Sequence, residues 1–247
     1  MFNRPKYIES AINIVFDRQS GIRRKANEFE DLLKGKYSQP DIISVPDDLD
    51  PEVPRMIFTS THGYSRIIAT QVNISLNVRY SEDEWQNNID KGKEYMEERI
   101  PILFGLLAKL SPDVRVNYCG FNTRTRLLFS DSDKEFIGVL IKKYFNESIS
   151  TEDLFELRLK KVKMIEQKYF SNIEISMYKK WNIEEIKKTK KFDTRNIAEK
   201  ALDIFIDYND KFAFNHTDNY ISQESILKQV LRNALAELQK EIINASS

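Results

Sequence analysis

In the stretch Arg66-Ile67-Ile68-Ala69-Thr70-Gln71-Val72-Asn73-Ile74-Ser75-Leu76-Asn77-Val78-Arg79-Tyr80, the apolar Val72, Ile74, Leu76 and Val78 alternate with Gln71, Asn73, Ser75, Asn77 and Arg79. A two-residue period sends successive side chains to opposite faces of a pleated strand. The pattern therefore reads as an antiparallel sheet with one covered and one open face. Just upstream, Met56 to Thr61 carries a second strand pattern, and His62-Gly63-Tyr64 reads as a turn in which Gly63 supplies a positive φ. The two runs form a hairpin, and a further turn near Gln71 divides the longer one.

Toward the N-terminus, Ile12, Ile14 and Phe16 alternate with Asn13, Val15 and Asp17 as another strand. Ile22, Ala26, Phe29, Leu32 and Leu33 then recur at helical spacing, with Gly35 as a helix stop. Between Pro40 and Pro54 lie four of the seven prolines and five acids without a Lys or Arg, which predicts a loop around a short edge strand at Ile42 to Val45. Toward the C-terminus, Ser81 and Glu84 have capping-box spacing. They precede a long helix whose stripe is Trp85, Ile89, Met96, Leu103, Leu107 and Leu110, with a kink expected at Pro101.

Strand periods return at Val114, Val116 and Tyr118 and again from Phe121 to Phe129. Helices are expected over Ser132 to Phe145 and over Thr151 to Phe170, the second opened by the Ser150 to Asp153 spacing. Ile173, Ile175 and Met177 mark a strand, Lys179 to Lys200 a polar, lysine-rich connector, and Leu202, Ile204, Ile206 and Tyr208 a further strand. The chain closes on an amphipathic helix, Gln223 to Ile243.

Strands that arrive in adjacent pairs favour an α+β fold over a doubly wound parallel sheet. The expected architecture is two antiparallel sheet halves, residues 1–111 and 112–247, each covered by helices on one face. A long kinked helix lies between them and the amphipathic helix ends the chain. No flexible linker separates the halves, so one continuous domain fits equally well, and no short-period repeat is present.

Three blocks resemble a sporadically distributed family of uncharacterised bacterial proteins. They are Pro54-Arg55-Met56-Ile57-Phe58-Thr59-Ser60, the Arg66 to Tyr80 run before a long helix, and Leu202-Asp203-Ile204-Phe205-Ile206-Asp207 before a terminal helix. The blocks are scattered over about half the chain. The resemblance implies a bacterial cytoplasmic α+β protein and transfers no catalytic or binding residue.

Composition narrows the chemistry. Thirty-eight Lys plus Arg balance thirty-eight Asp plus Glu, which excludes a globally basic coat for nucleic acid. The single Cys119 makes neither an internal disulfide nor a structural zinc site. Two histidines and seven glycines leave little for histidine-centred catalysis or glycine-rich phosphate loops, and no cofactor is implied. No apolar run of signal-peptide length follows Met1-Phe2-Asn3-Arg4-Pro5-Lys6. Ile100 to Leu110, the longest apolar stretch, falls short of the roughly 18 residues a membrane span needs. A cytoplasmic protein without a membrane partner is expected.

Three sets of residues are candidates for a site. Asp207, Asp210 and His216 are the candidate metal ligands, since a hard cation accepts carboxylates across a turn. Asp203 and Asp207, on one strand face but about 13 Å apart, do not share an ion. A nuclease core is disfavoured because Thr123, Arg124, Thr125 and Arg126 stand where an acid and a lysine are needed. Arg158 to Arg195 holds twelve bases and five acids. With Arg79, Arg115, Arg124 and Arg126, the residues Lys187, Lys188, Lys190 and Lys191 make a candidate surface for a polyanion or a protein partner. Phe121, Tyr178 and Trp181 are candidate stacking platforms. With no catalytic constellation in view, the expected function is a non-enzymatic binding or accessory protein working through a protein partner or homo-oligomer. The alternative is a nucleic-acid-binding or metal-dependent nucleic-acid-processing protein.

Overall fold

The computed structural model describes residues 2–111, 113–129, 133–144, 156–191 and 196–246. Among these residues nine strands form one antiparallel sheet, and the central pair decides its plan. Strand β1 (Phe2–Phe16) pairs with β6 (Val116–Phe129), with Ile12 opposite Phe121. Outward from β1 lie β5 (Asn73–Arg79), β4 (Ser65–Ala69), β3 (Met56–Thr59) and the two-residue β2 (Asp41–Ile42). Outward from β6 lie β9 (Ile197–Asn209), β8 (Tyr169–Trp181) and β7 (Arg158–Ile165).

The two chain halves therefore repeat one topology. A central strand is followed by a helix, then by a meander that returns to it, β2 to β5 in the first half and β7 to β9 in the second, then by a long helix. In the first half the helices are α1 (Ala26–Leu33), entered through a 3-10 turn at Ile22–Lys25, and α3 (Ile89–Leu110). In the second they are α4 (Asp133–Tyr144) and α7 (Glu224–Ser246). The repeat is one of register rather than of sequence, and β1 with β6 joins both halves in a single sheet instead of leaving two.

One face of this sheet is covered. Helix α1 packs on α3, α3 on α7, and α7 lies along β6, β9 and β1. Ile12, Ile14, Ile74, Leu76, Phe121, Ile204 and Ile206 point to this side and are buried with Met96, Ile100, Leu103, Leu227, Val230 and Leu231 of the helices. Each such side chain contributes about 1.5–3 kcal/mol through removal from water. None of α1, α3 and α7 lies on the other face, where the short helix Lys211–His216 sets Phe212 against Phe170 and Phe214 against Tyr118.

Several elements differ from expectation. The long helix is capped by Asn88, whose Oδ1 accepts from the amides of Asp90 and Lys91. The Ser81–Glu84 stretch instead leads into a separate four-residue helix, α2 (Asp83–Gln86). The helix is continuous over Ile89–Leu110 with Pro101 inside it, which leaves the expected bend there untested. Strand β1 extends well before Ile12, and β6 is one strand where two were expected. The lysine-rich connector contains the ends of β8 and β9 around a short helix, α5 (Ile183–Thr189). A further short helix, α6 (Lys211–His216), follows β9.

The largest correction is at Thr151 to Phe170. Residues 151–155 lie outside the described residues, and the rest is not helix but β7 and the start of β8, joined by a turn with Glu166 and Gln167 at positive φ. The strand period was hidden because Lys161 and Lys163 occupy covered-face positions of β7. There they meet Glu241 and Glu237 of α7 at 2.6 and 3.4 Å. Among the described residues no helix is long and apolar enough to cross a membrane.

Candidate functional site

The open face is the candidate site, and its residues follow from parity and register. Positions that alternate with the buried ones present Glu9, Ala11 and Asn13 on β1, Asn122, Arg124 and Arg126 on β6, Asn77 and Arg79 on β5, and Asp207 and Asn209 on β9. Near the middle of the sheet two rows cross the strands. In one, Asn77 and Asn122 flank Ala11; in the next, Asn13 and Asn209 flank Gly120. A half-turn about the Ile12–Phe121 pair exchanges the rows. Small residues at their centres leave the sheet floor uncovered, and neighbouring carboxamides stand about 10 Å apart, two strand spacings.

Two open depressions follow these rows and share Asn13 and Asn122. The first, about 510 Å³, is bordered by Asn77, Arg66, Arg79 and Tyr64. The second, about 440 Å³, is bordered by Asn209, Lys211, Tyr118 and Asp207. The half-turn that exchanges the rows also exchanges the depressions, bringing Arg79 to Lys211. Gly120 admits no larger residue without adjustment, because a Cβ there would lie 3.3 Å from the Asn209 Cβ.

The charges on this face are interleaved. Arg124 donates to Glu9 at 3.0 Å and to Asp203 at 2.7 Å, and Arg126 donates to Asp203 at 3.1 Å. Arg126 also lies over the Tyr178 ring, 3.5 Å from its centroid. Asp207 accepts from Asn172 at 3.0 Å and Asn209 at 3.2 Å. Burial raises its pKa above the ordinary carboxylate value, and those two hydrogen bonds oppose the rise. Burial likewise pushes the Tyr118 hydroxyl up, so it stands as a neutral donor at physiological pH.

The eight basic candidates do not form one patch. Arg79, Arg124 and Arg126 share the open face. Arg115 precedes β6 at its opposite end, nine residues and roughly 30 Å of strand from Arg124. Lys187 and Lys188 lie on α5, paired with Glu184 at 3.2 Å and Glu185 at 3.0 Å. Lys190 caps that helix in a left-handed conformation and Lys191 follows it, both exposed. Of the aromatic candidates, Phe121 is buried on the covered face, whereas Tyr178 already carries Arg126.

The metal candidates also part company. Asp207 faces outward with its two asparagines. Asp210 is fully buried: it accepts from the Cys119 amide at 2.5 Å, the Tyr220 hydroxyl at 2.6 Å and the Ser222 hydroxyl at 2.5 Å, a latch that ties β6 to the approach to α7. His216 lies against Phe212, the rings tilted and their centroids 4.3 Å apart. Among the described residues no group of three or more His, Cys, Asp or Glu side chains is placed to hold a metal ion. Cys119 lies under the sheet, where burial and Asp210 push its thiol far up, against any nucleophilic use.

A small niche lined by Tyr64, Tyr80, Trp85 and Tyr95 measures about 20 Å³, room for one water-sized group. Sequence reasoning placed Asn73 and Asn77 on an open face but could not bring Asn13, Asn122 and Asn209 beside them, since strand neighbours follow from long-range register. No protein-family model matches the chain, and no curated protein is significantly similar to it.

Proposed function

We propose that this chain is a non-enzymatic binding protein, an accessory component of a bacterial cytoplasmic system, that holds a protein partner on the open face of its sheet. The observation that carries this reading is the pair of carboxamide rows, Asn77–Ala11–Asn122 and Asn13–Gly120–Asn209, spanning both halves on the uncovered face. Carboxamides both donate and accept, which suits a polypeptide surface with both kinds of group. The surrounding order Arg79, Glu9, Arg124, Asp203, Arg126 alternates in sign. A polyphosphate gains little from such an order, because each acid offsets a neighbouring base.

The test is capture of partners by the tagged chain and by Asn13→Arg/Asn122→Arg, with Lys240→Glu on the exposed side of α7 as the control. A partner held by the wild type and the control but lost from the double variant, at unchanged Tm, is the expected outcome. Equal capture by all three overturns the reading. Retention of nucleic acid that falls steeply with salt and disappears in Arg79→Ala would replace the protein by a polyanion.

A further inference from the structure

The open face is complementary to itself, and we infer that its occupant is a second copy of this chain, packed face to face about a two-fold axis that runs along β1 and β6. This rests on the reading of the face as a protein-docking surface and names the partner. A rotation about such an axis lays β5 over the second copy's β9, β4 over its β8 and β3 over its β7, because the strand order is reversed from left to right.

Three rows of residues then meet favourably. The first reads Ile57, Ile68, Ser75, Asn13, Gly120, Asn209, Phe170, Met164 across the sheet. It is apolar at both ends and polar or small in the middle, so Ile57 lies over the second copy's Met164 and Ile68 over its Phe170, which already packs edge-to-face with Phe212 of its own chain. Met164 is 54% exposed, an uncovered apolar group at the sheet edge. The second row reads Arg66, Asn77, Ala11, Asn122, Asp207, Asn172. Arg66 lies over the second copy's Asn172, beside Asp207, and Ala11 over its Asn122. In the third, Glu9 lies over the second copy's Arg124, extending the ion pair already made within each chain.

The area is sufficient. Six strands from β4 to β8 span about 30 Å, and the rows extend about 25 Å along them. That is close to the ~800 Å² each partner contributes to a standard interface. Sheets packed face to face keep their strands within about 30° of each other, so the correspondences hold most closely near the axis, for Asn13 over Gly120, Ala11 over Asn122 and Glu9 over Arg124.

Sedimentation equilibrium from low micromolar to about 100 µM chain reads the state directly. The expected result is a mass that doubles with concentration. Asn13→Arg should weaken the dimer at least about a hundredfold by burying like charges near the axis, and Lys240→Glu should leave it unchanged. Phe170→Asp, at a half-buried outer position, should weaken it as well and serves if Asn13→Arg fails to fold. Ile68→Cys/Phe170→Cys adds geometry: these positions lie five strand spacings apart within one chain, about 24 Å. A bismaleimide spanning about the 10 Å between packed sheets links them only between copies. A monomer at every concentration, or a dimer indifferent to both open-face variants, overturns the second copy as occupant. Loss of a foreign partner from Asn13→Arg/Asn122→Arg is a separate readout, so a monomeric chain that still shows it refutes the dimer and leaves the docking face standing.

Discussion

The outer strands of the first half are sealed to their helices by hydrocarbon, and the outer strand of the second half by paired charges. Met56, Phe58, Ile67 and Ala69 of β3 and β4 are fully buried, with Phe29 of α1 6.3 Å from the Phe58 ring. At the corresponding place in the second half, Lys161 and Lys163 of β7 reach Glu241 and Glu237 of α7. One topology is thus closed by two chemistries. The first is non-directional and is not screened by salt, whereas the second is directional and weakens as charges are removed or screened.

Removing packing from the hydrocarbon side should cost most. Phe58→Ala leaves a cavity under β3 and is expected to lower stability by about 3–5 kcal/mol, read as a drop in the urea midpoint at constant slope. A loss below about 1 kcal/mol would mean that this half is not sealed by packing. Next is the Asp210 latch. Asp210→Ala strands the Cys119 amide and the Tyr220 and Ser222 hydroxyls without their shared acceptor, at about 2–4 kcal/mol. Faster hydrogen exchange at the Cys119 amide is the local signature, and an unchanged rate would dismiss the latch.

Glu241 probes the charged side. It is 3% exposed and accepts from Lys161, while its second oxygen finds no partner. Glu241→Ala strands the lysine and is expected to cost about 1–3 kcal/mol. Lys161→Met/Glu241→Leu should recover most of this, since replacing both members of a buried pair by packed hydrocarbon is often neutral or stabilising. If the double variant is as unstable as the single, the pair does more than fill the place of a hydrocarbon contact.

The same contrast explains what the sequence disclosed. Strands whose covered face is apolar, such as Ile74-Ser75-Leu76-Asn77-Val78 and Leu202 to Tyr208, were legible from alternation alone, as were the stripes of α3 and α7. β7 was not, because its inward positions alternate Leu159, Lys161, Lys163, Ile165, and only the acids of α7, more than seventy residues away, make inward lysines tolerable. Alternation disclosed that Asn77 and Arg79 share one face of a strand, while Arg124 and Arg126 were named only within a wider basic surface; the carboxamide rows arise from pairings between residues 66 to 111 positions apart, such as Ala11 with Asn77 and with Asn122, and no local pattern encodes those.

The smallest effect separates burial from pairing on the open face itself. Asp207 has its pKa raised above the ordinary 3.8 chiefly by burial, so folding favours its protonated form. That contribution to stability is fully present below 3.8 and is lost as pH rises through the higher folded value. Asp207→Asn keeps an oxygen to accept from Asn172 or Asn209 and removes the buried charge. The variant should therefore melt at or slightly above the wild type at pH 7, and the difference should close as pH falls toward 3. A variant less stable at pH 7 than at pH 3, relative to wild type, would show that the hydrogen bonds from the two asparagines outweigh desolvation. Asp207 would then belong with the paired charges of β7 rather than with the amide rows beside it.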